Sequence, residues 1–171
     1  MIRILNNSPK VKDIRFAHII RANLLGYDLT AVLKNSYQSF VASDDYMRIA
    51  VLPDNVKPNS QSKNSSDGSY WSHSIKLDIN EQSNEILEYL NRYNNFSVIC
   101  CLETRDNEVY IYGNSNQPLN FLYKFSESTN NMDNIGYEIS MTGDTYGSPK
   151  IITTTDFYKP VRLSSWLASP L

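Results

Sequence analysis

The sequence predicts a mainly β protein, an antiparallel β-sandwich or barrel with one flanking α-helix and extended N- and C-terminal arms. Apolar and polar residues alternate along much of the chain, the period of a strand with one buried face. Turn residues punctuate these runs at hairpin spacings. Only residues 80–93 switch to a helical period.

With 171 residues, 41% of them hydrophobic, the chain is long enough for one sizeable core. The expected organisation is a single domain over residues 1–156, with a mobile loop at 53–69, followed by a C-terminal docking arm at 157–171. A net charge of -2 removes the bulk attraction that dominates nonspecific nucleic-acid binding and disfavours a DNA-coating role. The opening stretch MIRILNNSPKVKDIRF has polar residues where a signal peptide needs its apolar run, and no uninterrupted apolar run approaches a bilayer span. The expectation is a soluble protein made in the cytoplasm.

Residues 1–52 hold four short apolar groups: Ile2 to Leu5, Ile14 to Ile20, Tyr27 to Leu33 and Met47 to Leu52. In the third, Tyr27, Leu29, Ala31 and Leu33 suggest a strand. Residues 53–69, PDNVKPNSQSKNSSDGS, carry two prolines and a dense run of Ser and Asn, the composition of a long loop. Trp71, His73, Ile75, Leu77 and Ile79 then form one face of a half-buried strand.

In the helix, Ile86, Leu87, Leu90 and Tyr93 gather on one stripe, Asn80 or Ser83 can cap, and Glu81 and Glu85 sit near the positive end of the dipole. Phe96 to Thr104 and Glu108 to Tyr112 flank Arg105-Asp106-Asn107, a hairpin whose Asp and Asn tolerate positive φ. After Pro118, Leu119, Phe121, Tyr123 and Phe125 point one way and Asn120 and Lys124 the other. Ile135, Tyr137, Ile139 and Met141 repeat the pattern, and Gly143-Asp144 and Gly147-Ser148-Pro149 frame a last strand, Ile151 to Thr155. The final stretch mixes Phe157, Tyr158, Val161, Leu163, Trp166 and Leu167 with two prolines, so it reads as an interface arm rather than a central strand.

Candidates for chemistry are thin. His73 falls on the apolar side of its strand and His18 lies beside Ile19 and Ile20, where packed, hydrogen-bonded histidines are the common case. No serine motif frames a nucleophile, and two isolated histidines make no zinc site. Asp44-Asp45 lacks the alternating oxygen ligands of a calcium loop, because Met47 and Ile49 follow. Asp106 and Glu108 read as turn and surface residues. Adjacent Cys100 and Cys101 must leave opposite faces of their strand, which suits small hydrophobic residues in a reducing compartment. No catalytic residue, cofactor or metal is expected. Twelve tyrosines favour protein interfaces over base stacking, since no basic groove is evident.

From residue 71 to about 152 the order of features resembles tail and neck ring proteins of Bacteroidetes-type tailed phages, including crAss-like phages and related prophages. The matching segments are YWSHSIKLDI, EILEYLNRY, FSVICCLETRDNEVYIYG, NQPLNFLYKF and MDNIGYEISMTGDTYGSPKII. They cover roughly half the chain and are patterns of strand and turn, individually weak.

The resemblance implies a tail-tube-like fold that assembles side by side into rings around a DNA channel, with Gly113, Gly136 and Gly143 at turns. The long N-terminal part and the C-terminal arm depart from that pattern. They favour a specialised ring, a connector or adaptor between portal and tail. Its partners would be copies of itself, in six- or twelve-fold symmetry, neighbouring portal, tail or ring proteins, and DNA in passage, with no membrane. Its place would be the virion. The competing reading is a monomeric β-sandwich that binds carbohydrate or peptide, at the tail tip or elsewhere, through exposed Tyr and Trp.

Overall fold

A computed structural model describes residues 13–23, 40–66, 68–126 and 136–158. Within them the chain is mainly β and antiparallel, with one substantial helix. The strands are β1 (Ile14–Arg21), β2 (Phe40–Ala42), β3 (Tyr46–Ala50), β4 (Val56–Ser65) and β5 (Gly68–Ile79), then β6 (Ser97–Thr104), β7 (Glu108–Tyr112), β8 (Leu119–Ser126), β9 (Gly136–Thr145) and β10 (Lys150–Thr153). Helix α1 (Asn84–Tyr93) separates β5 from β6, and a single turn, α2 (Thr154–Phe157), follows β10.

The sheet forks at β6. One edge of β6 pairs with β1, which leads through β3 to β2. On its other edge Ser97 and Val98 pair with β8, while Cys100 to Glu103 pair with β7. One branch therefore runs β8-β9-β5-β4 and the other β7-β10.

The fork creates two apolar layers on opposite faces of β6. The larger core joins Ala17, Ile19, Ile75, Leu77, Cys100, Phe121 and Ile139 with Ile86, Leu90 and Tyr93 of α1. The smaller gathers Ile20, Tyr46, Ile99, Cys101, Val109 and Ile111 beneath Phe157 of α2. Cys100 and Cys101 thus go to different cores, as strand alternation requires, and both are free thiols. Burial pushes the Cys101 thiol up to about 12 and Cys100 well above its usual range, so both behave as small apolar side chains.

Helix α1 starts where its sequence signals it. The Ser83 hydroxyl accepts the Ile86 N–H at 3.1 Å, Glu85 lies in the first turn and Arg92 in the last. The β6–β7 hairpin turns through Asn107 at φ 61°.

Several expectations are corrected. Residues 53–69 are not a loop: after a 3-10 turn at Pro53–Asn55, β4 pairs residue for residue with β5 from Val56↔Leu77 to Ser65↔Gly68. Its polar side chains suit an edge strand solvated on both faces, and Pro58 is tolerated because an edge strand needs only one ladder. Gly143-Asp144 lies inside β9, and Thr154 and Thr155 belong to α2 rather than to the last strand. Strand β8 outruns the core, leaving Phe125 46% exposed.

Gly136 and Gly143 are close-approach positions rather than turns. A Cβ on Gly136 would lie 2.0 Å from the Ile79 carbonyl oxygen, and one on Gly143 would lie 2.8 Å from that of Pro118. Gly113, at φ +79°, is the turn glycine. The strand expected at Tyr27 to Leu33, together with Ile2 to Leu5 and Ile135, lies outside the described residues.

Candidate functional site

The densest polar chemistry is buried on the smaller-core face of β3-β1-β6. Strand register places His18 opposite Arg48 on β3 and Cys101 on β6, with Phe16 and Glu103 one pleat away. Residues two apart share a face, so these side chains converge. A register shift between Ile14 and Phe16 bulges Arg15 out of the β1–β6 ladder. Its Nε meets Glu103 Oε1 at 3.1 Å. Arg48, buried, stacks its guanidinium 3.8 Å from the Phe16 ring centroid.

Glu103 is the hub. His18 Nε2 lies 3.1 Å from Oε2, and the Tyr158 hydroxyl donates to the same oxygen. Burial alone would raise the Glu103 carboxyl, but hydrogen bonds from His18 and Tyr158, with Arg15 beside it, outweigh that and hold it below the usual range. An ionised Glu103 can only accept, so His18 carries its proton on Nε2. Its Nδ1 then accepts from the Tyr46 hydroxyl at 2.7 Å. Burial lowers the His18 pKa against the raising influence of Glu103, which keeps the ring neutral. Phe157 closes over it, ring centroids 5.1 Å apart. Both imidazole nitrogens and both carboxylate oxygens are engaged, the geometry of a lock that ties the start of the C-terminal segment to β1 and β6.

A second polar relay crosses three strands of the other branch. The Thr145 hydroxyl donates to the Gly147 carbonyl at 2.6 Å, so it must accept from His73 Nε2–H at 2.7 Å. Nδ1 of His73 is left to accept from the Ser60 hydroxyl at 2.8 Å. Burial again lowers the histidine, against the raising influence of Asp144. The relay ends on a backbone carbonyl rather than a hydrogen-bonded carboxylate, so it lacks the acid that would stabilise an imidazolium behind a serine nucleophile. It joins β4, β5 and β9. His18 and His73 are thus both packed and hydrogen-bonded, as their apolar flanks predict.

Of the six interface residues read from the sequence, the structure brings Phe157 and Tyr158 together at the Glu103 lock, Phe157 buried and Tyr158 half-buried. They pack into the folded body, so a boundary at 157 falls inside that body, at least two residues too early. Val161, Leu163, Trp166 and Leu167 lie outside the described residues. The lock itself is invisible to periodicity. Its only sequence trace is a carboxylate, Glu103, closing the apolar run VICCLE.

Two surfaces remain open. Among the described residues β2, β4 and β10 each pair on one side only. Strand β4 has Lys57, Pro58 and Lys63 along its free edge, residues that discourage indiscriminate strand pairing. Between α1 and the β8–β9 hairpin lies a groove of about 570 Å³ bordered by Leu87, Tyr123, Phe125 and Tyr137, with the amides of Gln82 and Asn94 at its rim. Among the described residues no group of three or more His, Cys, Asp or Glu could hold a metal ion, and no helix is long and apolar enough to cross a membrane. Comparison with protein-family models, curated proteins and solved structures gives no match.

Proposed function

We propose that this chain is a structural subunit of a tailed-phage virion, a tail or neck ring protein acting as connector or adaptor between portal and tail. The observation that carries the reading is that, among the described residues, β2 and β4 at the two ends of the eight-strand path β2-β3-β1-β6-β8-β9-β5-β4 each leave one edge unpaired. Different edges at opposite ends suit heterologous side-by-side contacts, which close a ring when the rotation per subunit divides a full turn. A mainly β body with one flanking helix is the architecture that the resemblance implies. The chemistry of the two histidine clusters is also compatible, because both are saturated by internal hydrogen bonds.

Light scattering and negative-stain microscopy on the purified chain, across a range of concentrations, test the reading. Closed rings are expected. A particle that stays monomeric at every concentration moves the weight to a second reading favoured by the aromatic groove, a monomeric module that binds carbohydrate or peptide. The exposed Phe125 ring and the half-buried Tyr123, beside neutral amides, supply apolar faces and directional hydrogen bonds for either ligand. Binding of a glycan or peptide that is abolished by Phe125→Ala would establish that alternative.

A further inference from the structure

Strand β8 loses one neighbour halfway along. On that edge β6 pairs with Leu119 and Asn120, and Asn95 and Phe96 carry the contact as far as Phe121. The Phe121 N–H donates to the Phe96 carbonyl at 3.0 Å, and its own carbonyl accepts from the Asn95 N–H at 2.8 Å. Upstream of Asn95 the chain is already leaving α1, so among the described residues no strand pairs with this edge beyond Phe121. On the other side β9 follows β8 to Ser126. Main-chain groups alternate in direction along a strand, so Tyr123 and Phe125, in phase with Phe121, aim their N–H and C=O groups out of the unpaired edge.

The groove of about 570 Å³ lies beside this edge. Tyr123, Lys124 and Phe125 all border it although their side chains alternate between faces, so it follows the edge of the strand as well as one face. Tyr137 backs the rings, its centroid 6.2 Å from that of Tyr123 and 5.5 Å from that of Phe125. The Tyr123 hydroxyl is held by Asn91 of α1, so the rings are positioned before anything binds. Leu87 borders the helix side, and the Gln82 and Asn94 amides offer neutral donors and acceptors. Lys124 belongs to the other face of the sheet, where it meets Glu138 at 3.2 Å.

An unpaired strand edge beside an apolar groove meets the two needs of strand addition: main-chain hydrogen bonds give affinity, and the groove takes alternate side chains. Strand β4 guards its free edge with Lys57, Pro58 and Lys63, whereas the outer edge of β8 presents aromatic rings and no proline. The neutral lining favours an uncharged occupant, and a saccharide would leave the regular row of main-chain groups without a matching row. Resting on the binding role that the second reading gives this groove, we infer that Tyr123 to Phe125 take up an extended, uncharged peptide segment of a partner protein. The segment pairs with the edge of β8 and lays alternate apolar side chains against Tyr123, Phe125 and Leu87.

Hydrogen exchange followed by NMR on the full chain tests this. In the chain alone the Tyr123 and Phe125 N–H groups should exchange fast, while those of Leu122 and Lys124, which face β9, stay protected. Protection of Tyr123 and Phe125 at every concentration would mean that the chain already covers its own edge. Protection that grows with concentration would make the occupant a second copy. Either result overturns the inference. The probe is a displayed library of short random peptides without charged residues. Peptides that bind should carry apolar residues at alternate positions, and at about ten times the Kd they should slow exchange of both N–H groups about tenfold. Phe125 is exposed, so Phe125→Ala leaves the core intact, and it should weaken these peptides about tenfold or more. N-methylation of the peptide amides that face β8 should abolish binding, and methylation of the alternate set should not. Peptides that bind while both N–H groups stay fast overturn strand addition and leave the second reading standing. So does a library that yields no binder when neutral malto-, cello-, xylo- or chito-hexasaccharides bind and lose affinity with Phe125→Ala. Binding of neither peptide nor saccharide removes the second reading and this inference together.

Discussion

Tyr158 donates its hydroxyl hydrogen bond to Glu103 across the interface between the last described turn and the middle of the sheet. The carboxylate it reaches is also bound to His18 and Arg15. Removing the tyrosine hydroxyl deletes one donor, whereas removing the carboxylate leaves the buried His18 and the half-buried Tyr158 without an acceptor and returns the half-exposed Arg15 to water. Tyr158→Phe should therefore cost about 1.5–3 kcal/mol, the range for a hydrogen bond to a charged group. Glu103→Ala should cost more than Tyr158→Phe, because it leaves both the buried His18 N–H and the Tyr158 hydroxyl without an acceptor, about 1–3 kcal/mol for each. Urea unfolding of the two single variants and the double variant measures both values and their coupling. Additive losses would show that Tyr158 and Glu103 do not act together.

Acid should destabilise the protein from higher pH than carboxylates alone would cause. Burial lowers the pKa of His18 and of His73 below the ordinary 6.5, so the unfolded chain takes up protons first and stability falls as pH drops through that value. The depressed Glu103 acts with the same sign at lower pH: its contribution is complete above about 4.3 and is lost as pH falls through the folded value. Two histidines give a slope of at most about 2.7 kcal/mol per pH unit just below pH 6. His73→Asn should roughly halve that slope, whatever its own fixed cost. Urea midpoints that stay level between pH 7 and 5 would mean that the rings are charged or solvated in the folded state.

Two glycines separate close approach from empty space. At Gly136 an added methyl meets the Ile79 carbonyl, backbone that cannot step aside, while at Gly147 nothing lies within 4 Å. Gly136→Ala should cost about 3 kcal/mol or more and lower the melting temperature accordingly, the upper range for overpacking. Gly147→Ala should stay within about 0.5 kcal/mol of wild type. Similar melting temperatures for the two variants would show that β9 does not lie against Ile79 as described.

What the sequence makes legible follows from how local each signal is. Helix α1 is readable because its cap, its charged ends and its buried stripe fall within the eleven residues from Ser83 to Tyr93. The β6–β7 hairpin is readable because Arg105-Asp106-Asn107 supplies its own turn chemistry between two apolar runs. Strand β4 is not, because none of Lys57 to Ser65 is fully buried and they are held by the backbone of β5 and the Ser60–His73 hydrogen bond, partners that side-chain pattern cannot reveal. Gly143 misleads for a related reason: its purpose is the approach of Pro118, distant in sequence. The Glu103 lock joins β1, β3, β6 and the chain after α2, so no single window of sequence contains it.

The same lock sets where the C-terminal segment can be cut. Phe157 covers the smaller core and packs edge-on against His18, and Tyr158 holds Glu103, so both are part of the domain. Truncation after Tyr158, removing residues 159–171, should leave a body whose urea midpoint stays close to that of the full chain. Truncation after Asp156 should lose about 3–5 kcal/mol, comparable to deleting a large buried aromatic, and should open the Ile20, Cys101 and Ile111 layer to water. Cys101 reports this directly: its reaction with a thiol reagent should be far faster in the chain ending at Asp156 than in the chain ending at Tyr158, while Cys100 in the other core stays slow. If the ring reading holds, the chain ending at Tyr158 folds and fails to enter particles, which separates a segment needed for assembly from one needed for folding. Equal thiol reactivity in the two truncated chains would mean that α2 and Tyr158 are not what closes the smaller core.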